Sequence, residues 1–309
     1  MRPDEWWKNF GLGQELDVAG AFIYNGIKHL NDTEYFQHPV DTFEILYNLS
    51  VGIERLTKIA IILVEHDEGN YSEEFEESLI THNTQELIER LNRHYDLRLS
   101  DIHKEFVALL SKFYKTHRYA RYSLKSVPNI YEEKINFLAF ISKHLQLNLD
   151  FHDEFNPIYN TKQIKKFIGK IVQRIVRSIF KVIQDQTTRL NIYTDELRGD
   201  SKAIWVFYSD RLDFINETRI KKEIILYLMN PKTSGAHIDL LRSFDALELD
   251  PGMTPYYIKA LLNDYHLFFV EGEVEEAYTE VKNVKERLAF IDIIDNEFLS
   301  YNDEEDDDS

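Results

Sequence analysis

The chain has 309 residues, is 43% apolar and carries a formal net charge of −18. It contains no cysteine, which excludes disulfides, thiolate metal sites and a cysteine nucleophile. Only 11 Gly and 7 Pro stand against 20 Phe and 18 Tyr, so long uninterrupted elements and an all-α fold class are expected.

The first residues, MRPDEWWKNF, have neither signal-peptide nor transit-peptide character. The longest apolar runs, IAIILV (59–64) and AIWVFY (203–208), are too short to span a bilayer. A soluble cytoplasmic protein without membrane attachment is expected. The net charge is unevenly spread. DEEDDD (303–308) supplies six negative charges in a segment whose composition predicts disorder. Residues 160–235 hold fifteen Lys/Arg against eight Asp/Glu, a local +7. A polyanionic partner therefore needs a local site rather than a favourable overall charge.

In chain order, residues 41–65 place Leu46, Leu49, Ile53, Leu56, Ala60 and Leu63 at helical spacing, with Asp41 or Thr42 as N-cap. HDEGNYSEE (66–74) reads as a loop, and Thr84 to Arg93 as a shorter helix with Leu87, Ile88 and Leu91 inward. Ser100 is expected to cap a helix lined by Ile102, Phe106, Leu109, Leu110 and Phe113. A fourth helix carries Ile135, Leu138, Ile141 and Leu145. FHDEFNPIYN (151–160) reads as a linker stopped by Pro157. Residues 161–189 form the longest predicted helix. AIWVFY is either a short strand or a buried helical turn, and helices are expected near 214–229, 236–246, 255–267 and 275–298. The predicted organisation is a helical bundle over 1–150, a basic-to-mixed helical domain over 160–300 and an acidic tail over 301–309.

Three segments of the first half, YNLSVGIERLTKIAIILVE (47–65), THNTQELIERL (81–91) and LLSKFYKTHRYARYSL (109–124), carry a family likeness. Glu54, Arg55 and Lys58 lie within a long helix, Thr81 and His82 lead into Glu86 and Leu87, and a later helix bears arginines. This pattern, over roughly residues 40–146, resembles the HEPN superfamily of antiparallel helical bundles. The resemblance implies a domain that often dimerises and serves in RNA processing, toxin–antitoxin or antiphage systems. It also implies, for many members, a metal-independent ribonuclease without cofactor, using an arginine and a histidine a few residues on. His117 would then move protons while Arg118 or Arg121 holds the charge of the phosphorane. Here the residue five positions after Arg118 is Ser123 rather than histidine, and the literal arginine–histidine spacing occurs at Arg98 and His103 (RLSDIH). A basic helix end, with His117, Arg118 and Arg121 complementing the helix dipole, is the plain structural alternative.

A second constellation lies on the long helix. Lys162, Lys166, Lys170, Arg174, Arg177 and Lys181 fall within an arc of about 120° at 100° per residue, opposite Ile164, Phe167, Ile168, Ile171, Val172, Ile175, Val176, Ile179, Val182 and Ile183. No Asp or Glu occurs between 161 and 184. Such a stripe can follow an RNA or DNA backbone, or pair with acidic surface of this chain or of a partner subunit. Over 219–275 a winged-helix-like arrangement is one reading, opposed by the acidic EGEVEE where a DNA-binding wing needs base. His144, His152 and Asp153 form no recognisable metal motif, and no Gly-rich phosphate loop occurs. No metal or cofactor is expected. RNA or DNA, a second copy of the chain or another protein are the expected partners.

Overall fold

Two long helices near the N-terminus approach more closely than side chains ordinarily permit: α1 (Leu12–Asp32) and α2 (Pro39–Glu65). Gly26 abuts Leu49, and Gly52 abuts Ile23 and Ala19, so the two run antiparallel. A Cβ on Gly52 would lie 2.6 Å from Ile23 Cγ1 and 3.0 Å from the Ala19 carbonyl oxygen. Neither position tolerates a side chain without displacing the facing helix. Periodicity assigned no element before residue 41, so α1 is a feature that sequence reasoning missed.

The computed structural model describes residues 3–66, 73–117, 131–150, 158–192 and 201–294. Its described residues are predominantly helical. The chain divides into two compact units, Met1–Phe214 and Ile215–Ser309.

Helix α2 begins earlier than expected. Its N-cap is His38, with Pro39 at the first turn, and the Asp41 carboxylate accepts the His38 N–H at 2.9 Å in a reciprocal capping box. Asp41 and Thr42 are therefore inside the helix. The single apolar stripe expected on α2 also understates its burial. Besides Leu46, Leu49, Ile53, Leu56, Ala60 and Leu63, it buries Ile45, Val51, Ile59, Ile61 and Ile62. A helix that is apolar on nearly all sides belongs in a core rather than on a surface.

Around α2 pack α3 (Thr84–Asn92), α4 (Asp101–Lys112), α5 (Glu132–Leu145) and α6 (Lys162–Leu190), beside α1. Ser100 stands at the N-cap of α4 as expected. Its hydroxyl lies 2.7 Å from His103 Nδ1 and makes no bond to a helix amide. The run AIWVFY is helical, α7 (Lys202–Tyr208), capped by Ser201, whose Oγ accepts the Ile204 N–H at 3.2 Å. A two-residue antiparallel pair, β1 (Tyr35–Phe36) with β2 (Ile158–Tyr159), matches Tyr35 to Tyr159 and Phe36 to Ile158. Asn160 strengthens this anchor, its Nδ2 donating to the Leu30 and Thr33 carbonyls at 2.7 and 3.0 Å. The start of α6 is thus fastened to the end of α1.

The second unit contains α8 (Ile215–Met229), α9 (Ala236–Ser243), α10 (Thr254–Leu262), α11 (Phe268–Thr279) and α12 (Val284–Ile291). The last two replace a single expected helix over 275–298, with Asn283 capping α12. No strand occurs among this unit's described residues. Only Ala260 and Val270 among them are buried, whereas Met229 and Phe268 are each 76% exposed.

Gly52→Val is expected to lower stability by about 1–3 kcal/mol through overpacking at the α1–α2 crossing. Gly272→Ala, on α11 with nothing within 4 Å of its would-be Cβ, should leave the melting temperature unchanged or raise it. Thermal unfolding of both variants checks this; parent-like melting of Gly52→Val would contradict the close-packed crossing.

Candidate functional site

Helix α6 is defined at both ends by its own sequence. Thr161 Oγ1 accepts the Ile164 N–H at 3.3 Å, and Asn191 closes the helix in the left-handed region at φ 53°. Ile164, Ile168, Ile171, Val172, Ile175, Val176, Ile179, Val182 and Ile183 are all buried. At about 1.5–3 kcal/mol for each fully buried aliphatic side chain, this face fixes the helix's rotation about its axis. The opposite face is thereby fixed toward solvent. Lys162, Lys166, Lys170, Arg174, Arg177 and Lys181 are all exposed. They span about 28 Å at 1.5 Å per residue.

What these cations touch bears on what they can bind. Among the described residues, Lys162, Lys166, Lys170 and Lys181 make no ion pair. Arg174 donates to the Arg98 carbonyl at 3.3 Å. Arg177 donates to the Ser209 carbonyl at 2.5 Å and reaches Asp210 Oδ1 at 3.4 Å. Asp210 is thus the one carboxylate that forms an ion pair with the stripe among the described residues. The alternative in which this chain's own acids neutralise the stripe applies to Arg177 alone there.

Segment 209–214 crosses α6 at Gly169, where a Cβ would collide with the Leu212 carbonyl. Gln173 Nε2 donates to the Ser209 carbonyl at 3.1 Å and also to that of Asp210. This crossing brings Arg211 to the stripe helix. Nothing in the local sequence around residue 211 signals that placement, which depends on the small residue at 169.

Arg98 and His103 lie where the loop entering α4 meets the middle of α6. Arg98 takes φ 50°, and its guanidinium lies 3.6 Å from Asp96. Burial pushes the His103 imidazole below its ordinary pKa, and the charge of Arg174 adds to the effect. Both effects favour the neutral imidazole beside the stripe.

The other sequence-selected cluster is placed only in part. At Phe113 the backbone of α4 changes to a π-helical turn, Phe113–His117, a geometry often associated with functional sites. His117 closes that turn, whereas Arg118 and Arg121 lie outside the described residues. Tyr114, in the same turn, is buried and its ring centroid lies 5.1 Å from that of His82. His82 Nδ1 lies 3.3 Å from Glu54 Oε1, and Lys58 Nζ donates to the same oxygen at 2.7 Å. Asn83, the N-cap of α3, accepts from Ser111 Oγ at 2.8 Å. Glu54, Lys58 and His82 therefore converge beside the start of the FYKTHRYARYSL stretch. Glu54 is only 6% exposed, and Lys58 and His82 supply its carboxylate with polar partners.

Two other clusters are self-contained. A recess of about 690 Å³ is lined by Glu65, Ser78, Arg90, Arg93 and His94, but Arg90 and His94 both engage Glu65. Burial opposes ionisation of Glu65, yet Arg90 and His94 together hold its carboxyl below the usual range. His144 and Lys143 both bind Glu105 at 2.9 Å. His152 and Asp153 lie outside the described residues. Among the described residues, no three His, Cys, Asp or Glu side chains are grouped to hold a metal, and no helix is long and apolar enough to cross a membrane. Compared with protein-family models, with curated proteins and with solved structures, the chain matches none of them.

Proposed function

We propose that this chain is a HEPN-like helical protein that binds the phosphate backbone of RNA or DNA along the α6 stripe. Its setting would be nucleic-acid metabolism or antiphage defence. The observation that carries this reading is the stripe itself. Six exposed cations lie on one face of one helix, and five of them have no ion-pair partner among the described residues. Uncompensated cations repel one another, so a surface that keeps them aligned is suited to an anion that displaces counterions from a row of sites. The convergence of Glu54, Lys58 and His82 beside the π-helical turn supports the HEPN-like part of the reading, with His117, Arg118 and Arg121 as the residues to test for cleavage.

A second reading is favoured by a separate observation, the apolar surface of the second unit. Leu226, Met229, Leu261, Phe268 and Phe269 are each more than half exposed. Exposed apolar area of this kind usually marks an interaction surface. Under this reading the unit assembles with a second copy of the chain or with another protein, and the stripe remains available.

Lys170→Glu combined with Arg174→Glu is expected to abolish binding of a labelled 20-nucleotide RNA in a native gel near 100 mM salt, while the circular dichroism spectrum stays parental. Binding by the double variant at parental strength would remove the stripe from the proposal. The same samples in EDTA score cleavage, with His117→Ala alongside. Light scattering on the purified chain separates the two forms of the second reading: a mass above that of one 36.7 kDa chain supports self-assembly, and a monomer at tens of micromolar contradicts self-assembly and leaves another protein as the partner.

A further inference from the structure

The crossing at Gly169 does more than hold segment 209–214 in place. It encloses a recess of about 160 Å³ on the stripe face of α6, lined by Lys166, Gly169, Lys170, Gln173, Arg211, Leu212 and Asp213. At this recess a second stretch of backbone crosses the helix beside Lys166 and Lys170 and contributes its own cation, Arg211.

We infer that this recess is a discrete phosphate-binding site, in which Lys166, Lys170 and Arg211 hold one phosphodiester of a nucleic-acid strand lying along α6. The inference rests on the proposed stripe reading and adds a position and a third cation from a distant part of the sequence. The charge is suited to the ligand. Lys166, Lys170 and Arg211 are exposed and form no ion pair among the described residues, and Asp213 is the one carboxylate among the described lining residues. Three cations against one carboxylate leave a surplus that attracts a phosphate. The two lysines stand one helical turn apart, about 6 Å along the axis, on one side of the recess. Arg211 approaches from the crossing segment. Its planar fork can donate two parallel hydrogen bonds to phosphate oxygens while the lysines act as point charges.

The walls are held before any ligand arrives. Gln173 and Arg177 both donate to the Ser209 carbonyl, so the backbone that carries Arg211 is clamped two residues earlier. Leu212 and Phe214 are each 1% exposed and anchor the segment on its other side. A binding group carried on a fixed backbone loses less conformational freedom on binding than one on a free loop. The Lys162 and Lys181 ends of the stripe have no such wall among the recess-lining residues. The recess is therefore expected to contribute more per cation than the stripe ends.

The test uses the full chain and two fluorescent probes, a 12-nucleotide oligouridylate and its deoxy counterpart, with affinity read by anisotropy at 100 mM salt. Arg211→Ala should weaken binding about five- to tenfold and lower the steepness of the salt dependence by about 0.7, the share of one phosphate contact on a single strand. Lys181→Ala should weaken it less. Asp213→Asn, which removes the opposing carboxylate, should tighten binding at least twofold, a change in the direction opposite to that expected from misfolding. Parental affinity in either Arg211→Ala or Asp213→Asn overturns the inference. If Lys170→Ala still weakens binding in that case, the stripe reading stands without the recess. Failure of the parent to bind either probe overturns both. Equal effects on both probes identify the shared phosphodiester as the ligand, and a preference for one assigns RNA or DNA as its source.

Discussion

The close approach of α1 and α2 is the constraint on which the first unit depends. Gly26 and Gly52 let two long helices meet with backbone nearly in contact, so Ile23 and Leu49 pack against main chain rather than against opposing side chains. Short separation increases the number of favourable dispersion contacts per residue. It also commits the remaining surface of α2 to other partners. Because α2 is apolar almost all round, α3, α4, α5 and α6 must close over it, and each turns its own apolar face inward. The stripe on α6 is a consequence of that demand. Its isoleucines and valines are buried, and the six stripe cations on the opposite face are turned outward.

The second unit obeys a different balance. Side-chain caps occur at Asn283 for α12 and at Asp250 for the 3-10 turn Pro251–Met253. Yet α8, α9 and α12 bury no residue. Such helices are defined locally by capping and propensity, whereas their apolar side chains have not been removed from water. Isolated helices of this length are marginal in water. The physical expectation is that their order is completed by whatever covers Phe268, Phe269, Leu261 and Met229, and this gives the assembly reading its weight.

The sequence made much of the first unit legible, for identifiable reasons. The stripe on α6 could be read because charge and apolar residues alternate with helical period over a segment free of acids, and all six cations are exposed. The helical state of AIWVFY could not be read, since a run of bulky residues fits a strand or a helix equally; Ser201 as N-cap is what favours the helix. The beginning of α2 was displaced because Asp41 and Thr42 are good N-caps in isolation, but Pro39 is better placed at the first helical position and moves the cap to His38. Helix α1 was missed although Leu12, Leu16, Ala19, Ile23, Ile27 and Leu30 follow the helical period. Arg211 had no local signal, because its position follows from the absence of a side chain at Gly169, forty-two residues earlier.

The account turns on whether the α6 stripe binds a nucleic-acid backbone, and the salt dependence of affinity tests that most directly. Six cations each displacing counterions from single-stranded RNA predict that log K falls against log salt with a slope of about −4. A slope near zero, or affinity that persists unchanged from 50 to 200 mM salt, would mean that phosphate is not what these residues hold.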